Sequence, residues 1–119
     1  MKVIIAGSRH MRVEDAHQIG EAVKRSKFKI TEVICGTARG ADAFGHAWAD
    51  QNNIPVKEFP ADWLKHGRAA GPIRNAKMAK YADGLIVFIW DDSRGAKNLL
   101  DQMVKRGKPV YAVWNGKLS

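Results

Sequence analysis

Six successive apolar residues, Leu85-Ile86-Val87-Phe88-Ile89-Trp90, leave the backbone few choices. A half-solvated strand or helix would break such a run with polar residues, so this segment is expected to be a strand buried on both faces. Val3-Ile4-Ile5-Ala6 has the same continuity, and Thr31-Glu32-Val33-Ile34-Cys35, Val56 to Phe59 and Val110 to Trp114 read as further strands. The stretches between them carry the helical period. Ala16, Ile19, Gly20 and Val23 form one stripe, and Ala41, Phe44, Gly45, Trp48 and Ala49 a second. Helical spacing returns from about Ile73 to Tyr81, after a stretch from Pro60 to Pro72 that reads as irregular. Ala96, Leu99, Leu100, Met103 and Val104 make the clearest stripe, ended by Gly107 with Pro109 beyond it. Five strands alternating with helices predict one α/β domain over residues 1–119. The expected architecture is a Rossmann-like three-layer α/β/α sandwich around a five-stranded parallel sheet of order 3-2-1-4-5.

At 119 residues there is room for one core. No apolar run approaches the roughly 20 residues that cross a bilayer, so no membrane association is expected. The apolar start, Met1 to Ala6, is too short for a signal peptide and meets Gly7-Ser8-Arg9 at once. The lone cysteine, Cys35, excludes an internal disulfide and reads as a small core residue, which fits a reducing cytoplasm. His10, His17, His46 and His66 lack metal-ligand spacing, and neither a metal nor a cofactor is expected. His46 is expected to flank the buried stripe. Twenty Lys and Arg against twelve Asp and Glu give a net charge of +8, which favours anionic partners without specifying nucleic acid.

In parallel α/β sheets ligands lie outside the carboxyl ends of the strands, where strand order reverses. Three loops leave those ends with glycine and arginine together: Gly7-Ser8-Arg9, then Gly36-Thr37-Ala38-Arg39-Gly40-Ala41-Asp42, then Asp91-Asp92-Ser93-Arg94-Gly95-Ala96-Lys97. Glycine lets a backbone approach a phosphate, a helix start offers unpaired N–H groups, and arginine adds a planar fork for phosphate oxygens. The ending of a Walker loop is missing, and no Gly-x-Gly-x-x-Gly follows the first strand. Arg74, in Gly71-Pro72-Ile73-Arg74-Asn75, would face the same edge if a helix opens there. Asp62 and Trp63 are candidates for a lid or an aromatic wall.

With these loops the chain resembles the SLOG superfamily of Rossmann-like nucleotide-binding proteins, and within it the small stand-alone group related to YspA and YpsA. Phe59-Pro60-Ala61-Asp62-Trp63, Gly67 to Asn75 and Ser93 to Asn98 carry the likeness alongside the first two loops. More distantly, Gly36 to Asp42 and Arg74-Asn75 resemble the loop and Arg-Asn pair of DNA-processing protein A, which binds single-stranded DNA. Arg74 and Gly95-Ala96 are similar to elements of the lonely-guy phosphoribohydrolases, but Leu99 stands where their glutamate is expected. An apolar side chain supplies no proton handling for glycosidic cleavage. Asp101, two residues on, is rotated about 200° around a helix.

The resemblance implies a binding protein or sensor for a nucleotide or nucleotide-derived phosphate ligand. Arg9, Arg39, Arg74 and Arg94 would neutralise the phosphate, and Asp42 or Asn75 would meet ribose hydroxyls. The alternatives are single-stranded nucleic-acid binding, and hydrolysis of an N-glycosidic or phosphate bond with Asp42, Asp62, Asp91 or Asp92 as the available carboxylates. No catalytic residue can be assigned. Homo-oligomers are common in the superfamily, so a homo-oligomer is expected.

Overall fold

The five apolar runs pair side by side in a single parallel sheet in a computed structural model of the chain, which describes residues 1–36, 40–90 and 93–118. The strands are β1 (Lys2–Gly7), β2 (Glu32–Cys35), β3 (Val56–Glu58), β4 (Gly84–Ile89) and β5 (Val110–Trp114), in the order β3-β2-β1-β4-β5. The helices are α1 (His17–Ser26), α2 (Ala41–Gln51), α3 (Trp63–His66), α4 (Ala70–Tyr81) and α5 (Arg94–Lys105).

Period-two alternation divides the strands' side chains between two cores. Val3, Ile5, Val33, Cys35, Ile86 and Phe88 face α1 and α2, packing with Ile19, Ala22, Ala41 and Ala49. Their neighbours Ile4, Ala6, Ile34, Leu85, Val87 and Ile89 face α4 and α5, packing with Met78, Ala79, Leu99 and Met103. Every residue of β4 is buried, as its unbroken apolar run requires. The result is the expected Rossmann-like three-layer sandwich.

The structure corrects the reading of residues 60–72. Asp62 accepts a hydrogen bond from Lys65 N–H at 3.1 Å, capping the single turn α3, and a 3-10 turn at Gly67–Ala69 leads into α4. Helix α4 thus begins at Ala70 rather than Ile73. Gly71 and Pro72 do not break it because both lie in its first turn, where a backbone N–H has no acceptor within the helix. Val104, read as part of a buried stripe, is 63% exposed. His46 is half-buried and stands between carboxylates, with Asp50 at 3.5 Å and Glu58 at 3.2 Å.

Strand β1 pairs β2 on one side and β4 on the other, so the order of connection reverses at its carboxyl end. The register Gly7↔Phe88 brings the ends of β1 and β4 level. The helices that follow β2 and β4 start from this edge. Among the described residues no helix is long and apolar enough to cross a membrane.

Candidate ligand-binding cleft

The loop after β1 is fixed by its backbone. Gly7 takes φ +151°, and a methyl there would lie 2.7 Å from Phe88 N, so only glycine allows β1 and β4 to approach this closely. Ser8 is buried and fully engaged on its backbone: its N–H donates to Phe88 O (2.8 Å) and its carbonyl accepts from Ala41 N–H (3.1 Å). Its hydroxyl accepts from His10 N–H at 3.0 Å. Gly40, φ +71°, comes so near this loop that a methyl would sit 2.8 Å from Arg9 Cα. The first two glycine-rich loops therefore interlock, and Arg9 is left exposed at the rim with no hydrogen bond or ion pair among the described residues.

Arg74 extends from α4 over the end of β2. A methyl on Gly36 would lie 2.7 Å from Asp42 Oδ2 and closer still to Arg74 Nη1, so the guanidinium and the carboxylate share the space beside that glycine. Arg74 Nε donates to Asn75 Oδ1 at 3.1 Å, and Nη1 reaches the Phe59 carbonyl at 3.5 Å. Asn75 in turn donates from Nδ2 to Gly95 O and to Asn98 Oδ1, both at 3.1 Å. This buried amide ties α4 to the start of α5 while aligning the arginine beside it. At the start of α5, Ser93 Oγ turns back to accept from Trp90 N–H (3.0 Å) and makes no cap bond to the helix. The first N–H groups of α5, with the positive end of the helix dipole, face outward beside the exposed Arg94.

These groups border one cleft of about 450 Å³, within the range of small-molecule sites. Of the residues picked from the sequence, Gly7, Ser8, Arg9, Asp42, Arg74, Asn75, Ser93, Arg94, Gly95 and Ala96 line it. Gly36, Gly40 and Ala41 stand behind the lining and set its spacing. Asp62 caps α3, and Lys97 donates its N–H to Ser93 O within α5. Thr37, Ala38, Arg39, Asp91 and Asp92 lie outside the described residues. Met78, one turn after Arg74, was not foreseen; with Leu99, which stands at the expected place of the glutamate one turn after Ala96, it reaches the cleft from the core as its floor. Helical spacing from Arg74 would have found it. Trp63, Gly71 and Pro72 form a side wall.

Asp42 is the one carboxylate among the described lining residues. Cys35, under the cleft at the end of β2, is wholly buried. Burial, then the carboxylates of Asp42, Glu58 and Asp50, push its thiol up to about 12. It is therefore a packing residue and not a nucleophile. Among the described residues no group of three His, Cys, Asp or Glu could hold a metal ion.

A parallel sheet of this order, with a glycine-spaced and arginine-bordered cleft at the carboxyl edge of β1, defines a SLOG-type Rossmann-like protein. The chain belongs to the YspA, cpYpsA-related SLOG family, whose model matches residues 1–66, from β1 to α3. It is similar to the Gene 61 protein of Mycobacterium phage D29, at 33% identity over an alignment covering 92% of this chain and 93% of the phage protein. Its fold is similar to that of DNA processing protein A from Streptococcus pneumoniae, with a TM-score of 0.75 at 20% identity. That superposition covers 93% of this chain and 49% of the other, so the chain spans about half that protein's length.

Proposed function

We propose that the cleft binds a nucleotide or nucleotide-derived phosphate ligand, with the chain acting as a binding protein or sensor. The observation that carries this reading is the convergence of Arg74, aligned by Asn75, with Arg9, Arg94 and the start of α5, where Ser93 makes no side-chain cap bond, on one cavity. Fixed N–H donors and guanidinium forks are what a phosphate needs, and little reorganisation is required to receive one. Membership of the SLOG family supports the reading. Binding is favoured over glycosidic hydrolysis because Leu99 is buried in the cleft floor and Asp42 is held beside Arg74. Asp42 is the one carboxylate among the described lining residues, and Leu99 offers no group for proton transfer.

Calorimetric titration with AMP, GMP, ADP and UMP tests the proposal, together with mass spectrometry of small molecules released from gently purified protein. At least one nucleotide should bind, about tenfold or more weakly to Arg94→Ala and more weakly still to Arg74→Ala, given about 1.5–3 kcal/mol for hydrogen bonds to charged groups. Binding unchanged in both variants would refute the placement of the phosphate.

Single-stranded nucleic acid is the second reading, favoured by the +8 charge and by the exposed neighbours Trp63 and Leu64 beside the cleft. A salt series separates the two. Several released counterions give an oligonucleotide a steep dependence, whereas a mononucleotide has few to release.

A further inference from the structure

Trp63 is 59% exposed and its neighbour Leu64 fully so, an apolar pair at the surface. It lines the cleft, and its ring edge rests on the first turn of α4, where a methyl on Gly71 would lie 3.6 Å from Cη2. Glycine at 71 gives the indole a flat seat, and no partner holds the indole N–H among the described residues. The capped turn of α3 fixes its backbone, because Asp62 accepts from Lys65 N–H. The ring is thus anchored against α4 and remains more than half exposed.

The cleft has two unlike ends. Arg94 and the start of α5 make one, joined to α4 where Asn75 donates to Gly95 O at 3.1 Å. Trp63 makes the other, seated at Gly71, four residues or about 6 Å along α4 from Asn75. Met78 and Pro72 give the intervening wall an apolar character. A bare phosphate or sugar phosphate would satisfy only the first end. A ligand with an anionic group, a spacer the size of a sugar and a flat aromatic ring would satisfy both.

We propose that Trp63 is a specificity-determining residue that stacks on the base of the bound nucleotide, favouring purines over pyrimidines and both over base-free sugar phosphates. This rests on the nucleotide reading above. An aromatic ring offers its face to any base, and the larger purine covers more of it.

The test is calorimetry of AMP, UMP and ribose 5-phosphate on the wild-type chain, Trp63→Ala and Trp63→Phe, with circular dichroism confirming the fold of each. Wild type should bind AMP about tenfold or more tightly than ribose 5-phosphate, with UMP between them, in keeping with alanine substitutions at stacking residues. Trp63→Ala should erase that difference and leave ribose 5-phosphate unchanged, while Trp63→Phe keeps most of it. If wild type holds AMP and ribose 5-phosphate equally, or Trp63→Ala binds AMP as wild type does, the stacking role is overturned and the phosphate site stands. A loss shared equally by AMP and ribose 5-phosphate in Trp63→Ala overturns it too, since Trp63 then only shapes the cleft. If wild type binds none of the three, nor GMP or ADP, the nucleotide reading itself fails and takes the stacking role with it.

Discussion

Three glycines around the cleft respond differently to a methyl group. At Gly40 the backbone has φ +71° and the methyl would meet Ser8 O and the Arg9 backbone, which cannot step aside. Gly40→Ala should cost about 1–3 kcal/mol from conformational strain alone, read as a lower denaturation midpoint. At Gly36 the obstacles are the tips of two flexible side chains, Arg74 and Asp42. Gly36→Ala should therefore change stability little, yet displace Arg74 and weaken AMP binding in calorimetry. At Gly95 a methyl meets nothing within 4 Å, and Gly95→Ala should leave stability equal or raise it by up to about 1 kcal/mol. The sequence made these glycines conspicuous but not their separate duties. Gly36 and Gly40 read as phosphate-approach residues, and in the structure they also make room for Arg74 and for the neighbouring loop. Such a distinction depends on partners more than thirty residues away.

Also at this scale, Cys35 links stability to alkaline pH. The unfolded thiol ionises near its ordinary 9.0, while the folded one stays protonated to about 12. The unfolded chain thus releases a proton first, and stability falls as pH rises from about 9 toward 12, by about 1.4 kcal/mol per unit. Urea denaturation at pH 8, 9 and 10 should show wild type losing ground to Cys35→Ala only above pH 9.

Among the elements, α4 was the least legible and matters most to the site. Gly71 and Pro72 suggest an irregular segment, yet the first turn of a helix tolerates both, so the helix opens early and presents Arg74, Asn75 and Met78 on its cleft face. The buried strands are legible because continuous apolar runs admit one environment; Asn75 is legible as a candidate site residue but not as the tie between α4 and α5, because its partners Gly95 and Asn98 belong to another helix. Asn75→Ala removes the tie between α4 and α5 and should cost about 1–3 kcal/mol, with weaker AMP binding because Arg74 loses its neighbour. Asn75→Asp should be worse, since a carboxylate oxygen would replace Nδ2 against two acceptors, Gly95 O and Asn98 Oδ1. Thermal melts of both variants provide the check.

Taken as a whole, the molecule carries +8, and arginines at the cleft mouth concentrate that field where an anion would enter. AMP affinity should fall less than about tenfold between 50 and 200 mM salt; a loss of about a thousandfold by a single-stranded oligonucleotide would mark several phosphate contacts.

The central placement of β1 also governs how the chain is made. Of the five strands β1 is synthesised first, but one of its two neighbours, β4, begins only at Gly84. A nascent chain that has emerged as far as residue 66 can pair β1 with β2 and β2 with β3, while the other edge of β1, with Val3 to Ala6, remains unsatisfied. At about 5–20 residues per second that open edge persists for on the order of seconds. It is then a natural client for a chaperone and a hazard for aggregation. Translation arrested between α3 and β4 would leave a sticky half-sheet and half a cleft, because the walls from α4 and α5 are still to come.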